Sequence, residues 1–355
     1  MLIAVSIFRN RPVNKGNITP SVSLIITAYN EERLINDKIE NTLKQDYPKN
    51  RLEIIVASDC STDRTDEIVK SYQSQGVKLI RAPERKGKEN AQKLAIDIAS
   101  GEIYVFSDVA TILKADGISS IVKNFNDPTV GCVSSVDKFI DPEGKISGEG
   151  AYVKYEMFLR SLEAKVSTLV GLSGSFFAAR KEVCKLWVTD LQSDFNTLIN
   201  SVKIGLRGVS DPESIGYYAN LSDEKKEFDR KVRTVLRGIS VFMKSIQMLN
   251  PLKYGLFSLQ LFSHKLCRWL VPVAMFSAFC GNAILSFHSY IYLYLFIIQC
   301  AFYVLAIGGI YGQFVSNKSI LKIPSFFVLV NLSIINAWYY YIRGERIISW
   351  GPSKR

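Results

Sequence analysis

Histidine is nearly absent from this chain. His264 and His288 are too few and too far apart to make a metal site. The six cysteines, Cys60, Cys132, Cys184, Cys267, Cys280 and Cys300, show no CxxC spacing. That scatter argues against a zinc site and a disulfide framework and fits a reducing compartment. There is no GxxxxGK[ST], which excludes a P-loop, and no GxGxxG to support a dinucleotide site. No internal repeat or low-complexity segment stands out. The N-terminal MLIAVSIFRNR has too short an apolar run for a signal peptide or a spanning helix, so the first domain is expected on the cytoplasmic side.

What the chain does have is charge and grease together. Its 355 residues are enough for one large domain or two modest ones, its formal net charge is +11, and 48% of its residues are apolar. A slightly positive mean hydropathy beside that charge implies segregation into a polar, basic part and an apolar part. Basic charge suits nucleic acid, an anionic membrane surface or a phosphate-bearing ligand. Nucleic acid is disfavoured, because the basic residues form no aromatic-interleaved patch of a known module.

The character changes near residue 265. Before it, runs rich in Val and Ile, SVSLIITAY (21–29), RLEIIVAS (51–58), VKLIRA (77–82), EIYVFS (102–107) and VGCVSSV (130–136), read as strands bounded by Pro, Gly, Asp and Asn. Helical stretches separate them. In KENAQKLAIDIAS, Ala91, Leu94, Ala95 and Ile98 mark one buried helix face. Alternating strands and helices predict an α/β domain with a parallel, doubly wound sheet, whose ligands bind beyond the carboxyl ends of the strands. After residue 265 come 266–287, 290–312 and 323–342, each about 20 residues long and so about 30 Å as helix, the thickness of a bilayer core. Tyr290, Tyr292, Tyr311, Trp338 and Tyr339 to Tyr341 stand near their ends, as interfacial aromatics do. Residues 234–265 mix Phe, Leu and Ile with Lys and Arg and read as amphipathic helices on the membrane face. The expected division is an N-terminal segment 1–20, a cytoplasmic domain 21–233, interfacial helices 234–265, a transmembrane region 266–342 and a basic tail 343–355. Three spans would leave that tail outside, against the positive-inside rule, so either one segment is re-entrant or the tail is an exception.

Polar clusters gather where the strands end. TAYNEE follows the first, with Asn30 and Glu31; SDCSTDRTDE follows the second, with Asp59 and Asp63. RAPERKGKENA follows the third, with Arg85, Lys86, Gly87 and Lys88, and the fourth runs into Asp108. Each has a plainer reading: Asn30, Ser61 and Asp63 as helix caps, Asp108 as a turn residue, Lys86 and Lys88 as a solvated turn. Four such clusters on one sheet edge exceed what capping explains. Carboxylates beside a Gly-flanked basic loop suit a nucleoside diphosphate, with Lys supplying charge to phosphate. Asp108 suits Mg²⁺ or Mn²⁺ bridging two phosphates.

The motifs TAYNE (27–31), SDCSTDRT (58–65), GK (87–88), SDVAT (107–111), GLSGSFFAAR (171–180), SDF (193–195) and RKVR (230–233) together resemble the inverting family 2 glycosyltransferases. The resemblance covers about residues 20 to 240. It implies a GT-A fold, Rossmann-like with a mostly parallel sheet, and transfer of a sugar from a nucleotide-sugar donor, UDP-linked by expectation. The acceptor would be a hydroxyl of a lipid-linked or growing polysaccharide. By that resemblance Ala28, Tyr29 and Glu31 border the nucleobase pocket, Asp59 contacts the uracil or ribose, and Lys88 sits by the donor. Asp108 matches the first acid of the DxD motif, and so the metal ligand. Ser173 and Gly174 lie near the acceptor or donor sugar. Asp194 matches the general base, and Arg230 and Arg233 lie beside the pyrophosphate.

The chain departs from the pattern in three places. The DxD is Asp108-Val109-Ala110, the acid before Asp194 is Ser193, and Arg230-Lys231-Val232-Arg233-Thr234 replaces QxxRW. The missing tryptophan removes an acceptor-stacking platform and weakens the case for a processive synthase that extrudes its product. On 151–168, Glu156 and Glu163 share a face and read either as substrate contacts or as partners for Arg160 or Lys165. A nucleotidyltransferase has no need of a membrane tail. A transporter would carry buried ionisable residues in its spans, where only Arg268 appears, near one end. A catalytically inactive membrane interaction protein is the remaining rival.

Overall fold

Seven consecutive residues, Val22 to Ala28, are buried on both faces of strand β1 (Val22–Ala28), as the continuous apolar run SLII requires of a central parallel strand. The computed structural model describes residues 2–140, 151–219, 224–311 and 319–346. These fall into two compact units, residues 2–219 with 243–260, and residues 224–242 with 261–346.

The first unit is built on an eight-stranded sheet. Its strands are β1, β2 (Leu52–Ser58), β3 (Val77–Arg81), β4 (Ile103–Asp108), β5 (Ile112–Leu113), β6 (Val130–Ile140), β7 (Phe176–Arg180) and β8 (Arg207–Ala219). The order is β3-β2-β1-β4-β7-β6-β8-β5. The five strands expected from the sequence are all present within two residues, save that β6 runs on to Ile140. Pairs β1–β2, β1–β4, β2–β3 and β6–β8 are parallel, whereas β4–β7, β6–β7 and β5–β8 are antiparallel. The sheet is therefore mixed rather than wholly parallel. The chain reaches β7 through residues 171–175 and inserts it between β4 and β6.

Helices Ile35–Leu43, Thr65–Ser71 and Lys88–Ile98 connect the parallel strands. Leu24, Ile26, Val56, Val105, Phe176 and Ala178 are among the buried core residues on the sheet. Phe106 stacks on Phe177 and on Trp187, with ring centroids 4.8 and 5.0 Å away. The chain winds from β1 outward to β3, then returns to place β4 on the other side of β1. That reversal is the switch point at which an open sheet leaves a crevice beyond its strand ends. Asp108 stands there, in register with Thr27.

The second unit is helical. Residues 224–242 belong to the helix Glu224–Lys244, and Arg268–Leu285, Tyr290–Tyr311 and Ser319–Ile342 follow. Three helices are long and apolar enough to cross a membrane: Leu256–Leu285, Tyr290–Ile310 and Ile323–Ile342. The first starts ten residues earlier than the expected 266, because a π-helical turn at Phe262–Cys267 joins the preceding helix to it. Polar side chains knit this unit. Asn282 Nδ2 donates to Gln299 Oε1 at 3.1 Å, Ser325 Oγ to the Ala306 carbonyl at 3.1 Å, and Trp338 Nε1 to the Trp269 carbonyl at 3.1 Å. Such bonds can hold apolar helices together without a hydrophobic driving force. The basic tail beyond Arg346 lies outside the described residues.

Candidate active site

One of the strand-end polar clusters is organised around Asp59. It follows β2, is fully buried, and its backbone N–H donates to the Ala28 carbonyl at 2.9 Å. Its carboxylate accepts from the backbone N–H of Lys86 at 3.0 Å and of Gly87 at 2.9 Å. Gly87 has φ of 95°, a conformation open to glycine, which turns both N–H groups inward before the helix Lys88–Ile98 begins. Asn30 and Cys60, neighbours of Tyr29 and Asp59, also have positive φ, at 52° and 60°. Strained backbone of this kind clusters at ligand sites. Asn30 locks the two loops together, accepting from the Thr62 N–H at 2.8 Å while its own N–H donates to Ser61 Oγ at 3.2 Å. Arg85 lies 3.9 Å from the centroid of the Tyr29 ring. Glu31 is buried and its N–H donates to Thr65 Oγ1 at 2.8 Å.

Some clustered polar residues are structural. Asp63 accepts from the Thr65 N–H at 3.0 Å and from the Glu32 N–H at 3.1 Å, so it ties a helix start to the first loop. Those bonds outweigh the cost of its burial and hold its carboxyl below the ordinary range. Lys86 is exposed and its side chain pairs with Glu84, as the plainer reading had it. Glu163 is buried and accepts from the Val170 N–H at 3.3 Å, which ties its helix to the segment that follows.

The chemistry gathers around Gly174. Lys88 Nζ pairs with Asp108 Oδ1 and donates to the Gly174 carbonyl at 3.1 Å. The Asp108 N–H donates to the Ser175 carbonyl at 2.9 Å. On its other side, Gly174 abuts the general-base candidate: a Cβ at Gly174 would lie 2.8 Å from Asp194 Oδ2. Asp194 is in the first turn of the helix Ser193–Lys203. Its Oδ2 accepts from Gln192 Nε2 at 3.1 Å and its Oδ1 from the Phe195 N–H at 2.6 Å. A helix N-terminus favours the ionised carboxylate. Asp108, Lys88, Ser173, Gly174 and Asp194, far apart in sequence, thus converge within one unit.

Three further residues belong to this cluster and were not singled out from sequence. Lys38 is fully buried beneath the Asp108 turn, donating to Ser107 Oγ at 2.7 Å and to the Thr111 carbonyl at 2.5 Å. Burial pulls its pKa down to about 7, against the pull of Asp108 the other way. Glu89 is buried and accepts from the Ser193 N–H at 3.3 Å, linking the Lys88 helix to the Asp194 helix. Asp137, on β6, accepts from Ser173 Oγ at 2.5 Å and from Ser175 Oγ. Arg230 and Arg233 lie on the helix Glu224–Lys244, in the other unit. Burial and the neighbouring Arg237 and Arg230 lower the pKa of Arg233.

The profile described as Glycosyl transferase family 2 matches residues 23–187, the stretch that carries Asp59, Lys88, Asp108 and Gly174. The chain carries a family 2 glycosyltransferase domain. Over 195 residues it is 27% identical to the poly-beta-1,6-N-acetyl-D-glucosamine synthase of Staphylococcus aureus strain COL, covering 53% of this chain and 46% of that protein. A shorter match, 34% over 88 residues, is to the S. aureus Mu50 poly(ribitol-phosphate) beta-N-acetylglucosaminyltransferase TarS, covering 24% of this chain and 15% of that one. The chain spans about half the length or less of these relatives. Among solved structures, the mannosyltransferase PcManGT from Pyrobaculum calidifontis, in complex with GDP-Man and Mn²⁺, superposes with a TM-score of 0.74. It is 22% identical, and the match covers 97% of this chain and 94% of that one. The fold is therefore shared, helices included.

Asp108 is the residue of this domain that suits a divalent metal. Among the described residues no group of three or more His, Cys, Asp or Glu could hold a metal. Val109 is buried in the core and Ala110 offers no donor, which leaves Asp108 the one acid of its motif. A hard cation bound through one carboxylate would complete its shell with the donor's phosphate oxygens and water. Asp108, with 27% of its side chain exposed at the strand end, suits that shared arrangement.

Proposed function

We propose that this protein moves a sugar from a nucleoside-diphosphate donor to an acceptor hydroxyl, inverting the anomeric centre. The observation that carries the reading is the meeting of Asp108 and Lys88 with Asp194 across Gly174. Inverting transfer is one in-line displacement. The acceptor oxygen bonds to the anomeric carbon, the bond to the diphosphate oxygen breaks with its electron pair, and the acceptor proton must leave as the new bond forms. Asp194 takes that proton as general base. Its contacts to Gln192 and the Phe195 N–H fix which way the carboxylate faces. At the other end negative charge grows on the leaving diphosphate, and the Lys88 ammonium meets it there. Asp108 would hold Mg²⁺ or Mn²⁺ against the diphosphate, where a bound cation supplies further charge neutralisation.

We carry the remaining roles over from the family resemblance. Asp59, with Ala28, Tyr29 and Glu31, borders the nucleobase and ribose. Ser173 and Gly174 face the acceptor or donor sugar. For Arg230 and Arg233, on the basic helix of the other unit, we keep the pyrophosphate role on the family resemblance alone. We place the three apolar helices across a membrane, with the catalytic unit on the cytoplasmic side and the acceptor a lipid-linked or growing glycan at the bilayer surface. Cysteines that all remain free agree with a reducing side.

Donor hydrolysis tests this reading. The protein in mild detergent is offered a panel of nucleotide sugars with Mg²⁺ or Mn²⁺, and nucleoside diphosphate release is followed. Release from one donor, metal-dependent and lost in Asp108→Asn and Asp194→Asn, supports it and names the sugar. Silence with every donor, and no nucleoside diphosphate binding by calorimetry, would point instead to an inactive membrane interaction protein. Product size, one sugar against a long chain, separates single addition from the polymer synthesis named for the S. aureus relative.

A further inference from the structure

The loop 173–175 is held by a carboxylate that no sequence motif marks. Asp137 lies in β6 opposite Gly216 of β8, beyond a register irregularity between Ser134 and Val136. One of its oxygens accepts from Ser173 Oγ at 2.5 Å and the other from Ser175 Oγ. The two hydroxyls are themselves 3.0 Å apart. Asp137 therefore clamps the residues on either side of Gly174. A second set of bonds fixes the loop from behind. The Ser173 N–H donates to Ser134 Oγ at 2.7 Å. Arg160 Nη2 donates to that same hydroxyl at 2.6 Å and to the Gly171 carbonyl at 3.2 Å.

Everything the reaction needs leans on this loop. Its Ser175 carbonyl receives the Asp108 N–H, its Gly174 carbonyl receives Lys88, and its Gly174 Cα borders Asp194. We propose that Asp137 is a positioning residue for glycosyl transfer: by holding both serines it sets the spacing of Asp194 from Lys88 and Asp108. The inference rests on the transfer reading above. Its two carboxylate oxygens are engaged by the Ser173 and Ser175 hydroxyls, so its effect on the reaction runs through the loop.

The energetics agree with a geometric role. Burial pushes the Asp137 carboxyl above its ordinary range; the Ser173 and Ser175 hydroxyls and the Arg160 charge oppose that shift, and the negative charge of Asp108 adds to it. A carboxylate placed there costs stability that an apolar residue would not. What it provides instead is two directed hydrogen bonds at fixed spacing, which an apolar residue cannot make.

The experiment measures donor hydrolysis, with water standing in for the acceptor hydroxyl, in full-length wild type, Asp137→Ala, Asp137→Asn and Ser175→Ala. Binding of UDP and GDP is followed by calorimetry and folding by thermal unfolding. Loss of the clamp is expected to lower kcat about tenfold or more in Asp137→Ala, a larger effect than on nucleotide affinity, since the Asp59 and Gly87 contacts are untouched. Asparagine keeps the shape and one acceptor, so Asp137→Asn recovers part of the rate. Ser175→Ala, a smaller lesion, falls between and covers the case in which Asp137→Ala does not fold. Equal kcat in all folded variants overturns the inference alone. A parallel loss of nucleotide affinity and thermal stability, with no rescue by asparagine, also overturns it, because the role is then only structural. A wild type silent with every donor overturns the transfer reading and this inference with it.

Discussion

Adding one methyl group at Gly174 probes the site without replacing any of its charged groups. Gly174 does not have positive φ, so alanine fits its backbone. The new Cβ would sit 2.8 Å from Asp194 Oδ2 and 3.6 Å from its Cγ. Ordinary contact begins near 3.4 Å. The obstructing atom is the far end of a side chain, so the Asp194 carboxylate can swing away by about 0.6 Å at modest cost, within about 1 kcal/mol of stability. It cannot do so and keep its bonds to Gln192 Nε2 and the Phe195 N–H. A 1 Å misplacement of a reacting group costs on the order of 100-fold in rate, so about 0.6 Å corresponds to roughly 15-fold. The prediction is that Gly174→Ala lowers kcat for nucleoside diphosphate release by about that factor, with thermal unfolding almost unchanged. Asp194→Asn should cost more, about 100- to 10,000-fold. In the Asp194→Asn background the added methyl should cost little further rate, because the base it displaces is already gone. A Gly174→Ala protein with wild-type kcat would refute the reasoning. So would a full 15-fold loss retained on top of Asp194→Asn.

Other perturbations test the scaffold. Lys38 has its pKa lowered to about 7 from 10.5, so between those values the unfolded chain binds the extra proton. Stability from this group therefore rises with pH across that window, by up to about 1.4 kcal/mol per unit, and is lost as pH falls through 7. Denaturant titrations should show that slope in wild type and not in Lys38→Met; matching slopes would contradict it. Asp127 and Arg207 form a buried ion pair at 2.8 Å, and Asp127→Ala strands the guanidinium, for an expected loss of about 3 kcal/mol or more in unfolding free energy. A Cβ on Gly101 would lie 2.6 Å from the backbone N of Ser23. Gly101→Ala must therefore shift β1 itself, at about 1–3 kcal/mol, and a Tm equal to wild type would show that the strand yields freely.

The sequence by itself determined the parallel half of the fold and the polar residues at its strand ends. Val- and Ile-rich runs punctuated by Gly, Pro and Asp locate β1 to β4 because buried parallel strands leave a continuous apolar signature. Ligands bind past the carboxyl ends of such strands, so Asp59, Lys88 and Asp108 could be picked out as strand-end polar residues. The three apolar helices were legible from length and composition alone. The antiparallel insertion of β7 was not, since FFAAR is short and nothing local names its neighbours. Lys38 looked like any polar position on a helix, and only the Asp108 turn folded over it makes it a buried amine. Asp137 sat in VSSVDKF with no turn or motif beside it, and its partners Ser173 and Ser175 arrive from 36 and 38 residues away. Side chains that act through long-range contacts carry no periodicity. Their meeting around Gly174 is decided by the order of strands in the sheet, which the tertiary structure alone displays.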